Sequence, residues 1–319
     1  MKYVKLGKNG PLISRISFGA WGISGKDWGT TDDEISKTAI HTALDKGVNF
    51  FDTADVYGFG HSEELLAQVL TERGKKDKVI IATKAGNNFY SSINQTYHRI
   101  PANPDYSKKY LIFAVEKSLK RLNRDYLDIL QLHSPSTDIL QRDEVWDALT
   151  KLKEQGKIIL AGVSIQSFRE TEQSFILDLH QDLVDIIQVR YNLLEREAEK
   201  VLLPKAQSYG TGVIVRVPIL FGLLAGKFDS SSRFFDNDHR SKNLSEEKLT
   251  DYLQKLETMM PFFAKYNNYP MAQLSLRFCI SHPACHVAIP GGKTPAQVIE
   301  NIGASELDFI AFDEFPKLG

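Results

Sequence analysis

Short apolar segments alternate with helix-patterned ones from about residue 16 onward, and eight such units follow one another without a break in composition. That alternation constrains the fold more than any other feature. Strands separated by helices predict a parallel sheet with helical crossovers. Eight units in series favour closure into an α/β (β/α)8 TIM barrel over an open sheet. The 319 residues suit one such domain spanning 1–319. The strand-like segments are 12–21, 48–52, 79–84, 127–133, 158–164, 184–188, 212–216 and 287–289. Helical spacing marks 32–46, 61–73, 108–122, 142–155, 167–179, 195–208, 246–266, 271–281 and a start at 296–302. In the first of these, Ile35, Ala39, Ile40, Ala43 and Leu44 share one face, and Gly47 is the stop signal.

Ahead of the first unit, Tyr3-Val4-Lys5-Leu6, Asn9-Gly10 and Leu12-Ile13 predict a β-hairpin with an Asn-Gly turn. It is placed as a cap on the bottom of the barrel. Two stretches are long and poorly periodic: 85–105, and 219–243 with its Ser230-Ser231-Ser232 run. Both follow strands, so both are expected over the same barrel mouth, as lids.

Composition narrows the function classes. Lys and Arg total 39 against 40 Asp and Glu, with no basic stripe, so nucleic acid is not expected as a partner. Cys279 and Cys285 are too few for a disulfide framework. Met1-Lys2-Tyr3-Val4-Lys5-Leu6 has no apolar signal core, and no apolar run is long enough for a bilayer. The expectation is a cytoplasmic enzyme or binding protein with a small-molecule partner and no membrane partner.

Polar residues end the apolar strands: Asp52, Lys84, His133, Ser164, Gln188 and Arg216. In a barrel those ends converge on one face, where an active site is expected. A second group lies five residues past Asp52, in Asp52-Thr53-Ala54-Asp55-Val56-Tyr57-Gly58. A tyrosine hydroxyl is a weak acid, with a reference pKa of about 10. An ammonium at Lys84 is expected to lower it, Asp52 to hold Lys84, and His133 to bond a substrate oxygen. That set is a general acid aimed at a developing alkoxide, which suits hydride addition to a carbonyl and needs no nucleophile.

These residues resemble a known family. Gly47-Val48-Asn49-Phe50-Phe51-Asp52-Thr53-Ala54-Asp55-Val56-Tyr57-Gly58 followed by Ser62-Glu63 is similar to the aldo-keto reductase signature. So are Ala82-Thr83-Lys84, the segment Tyr126 to His133, Gly162-Val163-Ser164, Gln188 to Asn192, Gly222-Leu223-Leu224-Ala225-Gly226-Lys227 and Ile289-Pro290-Gly291-Gly292-Lys293, in order along nearly the whole chain. The resemblance implies Asp52, Tyr57, Lys84 and His133 as a catalytic tetrad with Tyr57 the proton donor. It implies NADPH as preferred cofactor, with NAD as the alternative, laid across the barrel mouth without a Rossmann domain. Gly19, Ala20 and Trp21 then line the nicotinamide end. Asp52 adjoins that end, and Ser164 and Gln188 hold the carboxamide. Arg216, Pro218, Ile219, Leu220, Gly222, Leu224, Gly226 and Lys227 cover the pyrophosphate. Gly291, Gly292, Lys293, Gln297, Glu300 and Asn301 form the adenosine end, where paired glycines before a helix start suit anion binding. Substrate contacts fall on Trp21, Tyr57, Tyr90 and His133.

Three positions depart from the family pattern. Ile165 stands where Asn is frequent. Arg216 stands where an aromatic often stacks on the nicotinamide, a role a planar guanidinium can fill. Gln297 stands where Arg often reads the 2′-phosphate, which leaves Lys293 to supply that charge. Gly58-Phe59-Gly60 hints at a dinucleotide fingerprint, but position 63 is Glu63 rather than a third glycine. His282-Pro283-Ala284-Cys285-His286 reads as a loop rather than a metal site. Trp146 reads as packing. The expected activity is NAD(P)H-dependent reduction of aldehydes or ketones. The competing expectation is a cofactor-binding regulatory or redox-sensing subunit with little turnover, since some family members attach to ion channels.

Overall fold

Eight parallel strands stand side by side in chain order in the computed structural model, which describes residues 1–25, 28, 31–90 and 103–317. They are β3 (Phe18–Gly19), β4 (Phe50–Asp52), β5 (Ile80–Ala85), β6 (Leu127–His133), β7 (Ile158–Ser164), β8 (Ile186–Arg190), β9 (Gly212–Arg216) and β10 (Val287–Ala288). Bridges Ile16–Ala288 and Gly19–Gly291 join the first strand to the last. Gly19 N donates to Pro290 O at 3.0 Å across that seam. A Cβ on Gly19 would come within 2.6 Å of the Ile289 carbonyl oxygen, so glycine permits the closure.

Parallel neighbours need long crossovers, and helices supply most of them. They are α1 (Asp33–Asp45), α2 (His61–Glu72), α3 (Lys108–Leu122), α4 (Thr137–Leu140), α5 (Asp143–Glu154), α6 (Ile176–Leu179), α7 (Leu202–Tyr209), α8 (Arg240–Asn243), α9 (Glu246–Glu257), α10 (Met260–Lys265), α11 (Met271–Ser281) and α12 (Pro295–Gly303). Side-chain caps fix several starts. Asp32 accepts from Ile35 N at 3.0 Å, and Ser107 accepts from Tyr110 N at 3.3 Å.

Helix boundaries differ from the periodicity in three places. The expected helix 167–179 is only a 3-10 turn, Glu172–Phe175, followed by α6. Phe168 there is left-handed (φ 63°), and the Ser167 hydroxyl is bonded by Arg216, so the segment braces the site instead of coiling. The expected 195–208 helix begins only at Leu202, with Pro204 in its first turn, where its missing N–H costs nothing. The expected 246–266 helix is split into α9 and α10, with Pro261 opening the second. Ile35 is 48% exposed rather than inward, while Ala39, Ile40 and Ala43 are buried.

The strands have two differently filled faces. Outward residues such as Phe51, Ile81, Leu130, Leu132, Val163 and Val189 join the shell beneath the helices. Inward residues alternate with them and change character along the barrel axis. At the bottom they are apolar: Phe50, Ala82, Ile129, Leu160, Ile186 and Ile214. Two residues further along the same strands, or four in β6 and β7, they are Asp52, Lys84, His133, Ser164, Gln188 and Arg216. The apolar layer is a packed plug, and truncating a residue such as Phe50 would cost about 3–5 kcal/mol.

The hairpin β1 (Tyr3–Lys5) and β2 (Leu12–Ser14) closes the bottom, with Leu6 and Ile13 joining the plug. Its turn is not a two-residue Asn-Gly. Leu6 N donates to Pro11 O at 2.9 Å, and the left-handed position is Gly7 (φ 65°) rather than Gly10. Asn9 instead donates to Asp185 Oδ1 at 3.0 Å, tying the hairpin to the barrel.

Residues 219–243 do lie at the barrel mouth, where Asp238 forms an antiparallel bridge with Trp28. Of 85–105, the described ends are held together by Asn88 N donating to Asn103 O at 2.8 Å, and residues 91–102 lie outside the described residues. His282 and His286 bond backbone: their Nδ1 atoms accept from Ala284 N (3.2 Å) and Val213 N (3.1 Å). Among the described residues no helix is long and apolar enough to cross a membrane.

Candidate active site

A cavity of about 500 Å³ opens at the C-terminal ends of the strands. Asp52, Tyr57, His133, Ser164, Gln188 and Arg216 all line it, so residues far apart in sequence share one wall. Lys84 stands just behind that wall, 1% exposed at its side chain.

Tyr57 is held by the turn after β4. Asp55 N donates to Lys84 O at 3.2 Å and Tyr57 N to Ala54 O at 3.2 Å. Gly58 follows in the left-handed region (φ 62°), and a Cβ there would sit 2.0 Å from Ser24 O. Only glycine lets the chain turn at that point. The Tyr57 ring meets His133 edge-on, centroids 5.8 Å apart, and stacks with Trp21 at 5.9 Å.

Lys84 Nζ donates to Asp52 Oδ1 at 2.5 Å and to Thr53 O at 2.7 Å. It also lies 5.2 Å from the centre of the Tyr57 ring. The other Asp52 oxygen accepts from Gln188 Nε2 at 2.7 Å and Gln131 Nε2 at 3.3 Å. A carboxylate with this many donors is compensated inside a low-dielectric wall. The Gln188 amide nitrogen is thus engaged by Asp52, which the strand-end reading did not anticipate.

Burial pushes the Tyr57 hydroxyl above its ordinary pKa, and the pull of the Lys84 ammonium does not overcome it. The expected net lowering is therefore reversed in this protein. Burial, with Lys84 and then Arg216 nearby, lowers His133 to about 3, so its imidazole is neutral at ordinary pH. Its Nδ1 is buried without a protein partner, and its carbonyl accepts from Tyr106 Oη at 2.7 Å. Arg216 donates from Nη2 to Ile165 O at 3.0 Å and to Ser167 Oγ at 2.9 Å.

The rest of the cavity carries cationic and aromatic side chains beside the carboxylate of Glu300. Lys227, Arg240 and Lys293 line it, with Trp21, Trp28, Phe221 and Phe228. Lys293 Nζ donates to Trp28 O at 2.8 Å, and burial lowers its pKa. His239 packs against Trp21 at 4.4 Å and Trp28 at 4.2 Å. Beside Gly291 an added Cβ would meet nothing within 4 Å, so backbone lies open to the cavity. Cationic side chains around the hollow, with accessible backbone ahead of α12, fit a ligand carrying phosphates. Among the described residues no cluster of three or more His, Cys, Asp or Glu could hold a metal.

Residues 15–316 match the model of the Aldo/keto reductase family. The chain belongs to that family. It is 31% identical over 301 residues to the aldo-keto reductase YhdN of Bacillus subtilis, covering 93% of this chain and 87% of that one. It is 32% identical to a probable voltage-gated potassium channel subunit beta of Arabidopsis thaliana, covering 96% and 92%. Among solved structures it is similar to the holo form of aldo-keto reductase AKR11C1 from Bacillus halodurans, with a TM-score of 0.77, 27% identity, and coverage of 98% and 94%. It is also similar to the glycerol dehydrogenase AKR11B4 from Gluconobacter oxydans, with a TM-score of 0.78, 30% identity, and coverage of 94% and 89%.

Aldo/keto reductases are oxidoreductases of carbonyl groups that bind nicotinamide cofactors, and the barrel is theirs. Within it, the residues expected along the cofactor divide. Gly19, Trp21, Pro218, Ile219, Gly222, Lys227, Gly291, Lys293, Gln297, Glu300 and Asn301 line the cavity. Leu220 and Leu224 are buried in the core beneath it. Ala20, Gly226 and Gly292 are not among the lining residues. Neither is Tyr90, whose hydroxyl accepts from Arg121 at 3.1 Å and whose ring stacks on Phe89 at 4.4 Å. Sequence reasoning missed Gln131, Ser134 and Arg240. Gln131 carried a usable signal: it lies two residues before His133, so strand alternation aims both inward.

Proposed function

We propose that this aldo/keto reductase is an NADPH-dependent reductase of aldehydes and ketones, with Tyr57 as proton donor. The convergence of Tyr57, His133 and the Lys84–Asp52 pair on one cavity wall carries the reading. A nicotinamide dinucleotide held there would supply the hydride for the carbonyl carbon. Raised by burial, the Tyr57 hydroxyl is protonated at neutral pH and can give that proton to the oxygen as negative charge grows there. Lys84, fixed by Asp52, then stabilises the tyrosinate left behind. Neutral His133 orients the carbonyl oxygen. Trp21 and Trp28 line the cavity beside these residues. Ser164 and Gln188 are assigned to the carboxamide, the Arg216–Lys227 segment to the pyrophosphate, and Gln297, Glu300 and Asn301 to the adenosine. Lys293 is assigned to the 2′-phosphate, which makes NADH the weaker cofactor.

Tyr57→Phe tests the assignment. Carbonyl reduction should fall by about 10²–10⁴-fold, with NADPH affinity unchanged. Retained turnover removes Tyr57 from the acid role.

The relatives named as potassium channel subunits beta support a second reading, in which the same cavity binds cofactor for regulation with little turnover. NADPH oxidation with a panel of aldehydes, pyridoxal, methylglyoxal and keto sugars separates the two. Tight NADPH binding without turnover of any of them favours the regulatory reading.

A further inference from the structure

Charge at the reacting end of the cavity is not fully paired. Asp52 and Lys84 offset each other at 2.5 Å. Arg190 and Glu195 do the same through bonds of 2.6 and 2.5 Å. His133 is neutral. Arg216 remains. It lines the cavity with Tyr57 and His133, yet its Nη2 donates only to uncharged acceptors, Ile165 O and Ser167 Oγ. Its Nε is buried with no partner. Among the described residues no carboxylate forms an ion pair with it; Glu170 and Glu195 act on it only at longer range. Burial and Arg190 lower its pKa only to about 10, so it stays cationic at neutral pH.

We propose that Arg216 is an unpaired positive charge that makes the cavity prefer reduced cofactor, whose nicotinamide ring is neutral, over oxidised cofactor, whose ring is cationic. The inference rests on the function proposed above. A hydride donor must lie against the carbonyl held by Tyr57 and His133, and the charge of Arg216 acts on both of those residues. A cationic ring placed there meets a like charge in a poorly screened interior. Repulsion of that kind is worth about tenfold or more in affinity. The bias helps oxidised cofactor leave after turnover.

The test is calorimetric titration of the full chain with NADPH, NADP⁺ and 2′-phospho-ADP-ribose, which lacks the ring. The wild-type protein should bind NADPH about tenfold or more tighter than NADP⁺. Arg216→Met should shift the ratio of NADP⁺ to NADPH affinity toward NADP⁺ by a similar factor, with the ringless fragment reporting any loss that both forms share. Arg216→Lys should keep the wild-type ratio. Equal wild-type affinities for the two forms, or tighter binding of NADP⁺, overturn the proposal, and that comparison needs no variant to fold. Parallel weakening of both forms in Arg216→Met also overturns it, because it makes Arg216 a scaffold. Failure of all three ligands to bind overturns the proposed function itself.

Discussion

Lys84 and Asp52 form an ion pair at 2.5 Å, with side chains 1% and 3% exposed. A pair so enclosed is sensitive to the loss of one member. Asp52→Ala strands a buried ammonium and should lower stability by about 3–5 kcal/mol, read from the denaturant midpoint. Lys84→Met should abolish carbonyl reduction, and adding Asp52→Asn to it should recover stability but not turnover. A single Asp52→Ala as stable as wild type would mean that Lys84 finds another partner.

His133 gives a pH dependence with a definite sign. Its folded pKa is about 3 against an ordinary 6.5, so between those values the unfolded chain binds the extra proton. Stability from this group is fully present above about pH 6.5 and is lost as pH falls toward 3, by at most about 1.4 kcal/mol per pH unit. Urea midpoints of wild type and His133→Gln should therefore converge on acidification, because the variant lacks this loss. Parallel midpoints across that range would show that His133 is not held neutral.

Lys293→Ala should weaken NADPH by about tenfold and NADH much less, because one ammonium facing a phosphate is worth about 1–2 kcal/mol. Its Nζ also holds Trp28 O at 2.8 Å. Equal losses for the two cofactors, measured by titration, would assign Lys293 to holding Trp28 instead.

Trp28 meets His239 edge-on at 4.2 Å and bridges to Asp238, joining two loops across the mouth. Removing one such aromatic contact costs about 1 kcal/mol beyond its buried area. Trp28→Ala should accordingly speed cofactor release about tenfold in stopped-flow fluorescence, leaving the chemical step in single turnover unchanged.

Strand–helix alternation made the barrel legible in the sequence, because period-2 and period-3.6 patterns are local. The glycine stops and the polar residues at strand ends were legible for the same reason. Asp52 and His133 needed only the rule that strand ends converge, and Tyr57 needed in addition its place five residues past Asp52. Tertiary structure decided what no local pattern carries. It turned the 167–179 segment into a brace for Arg216 and sent the Tyr90 hydroxyl to Arg121. It set Gln131 and Gln188 on Asp52. It also reversed the shift expected at Tyr57, since burial depends on every element packed around a group, whereas the charge of Lys84 could be read from its letter. Sequence determined which chemical groups reach the barrel mouth. Only the folded chain decided their solvation and hydrogen-bond partners, because those depend on residues brought together from distant strands.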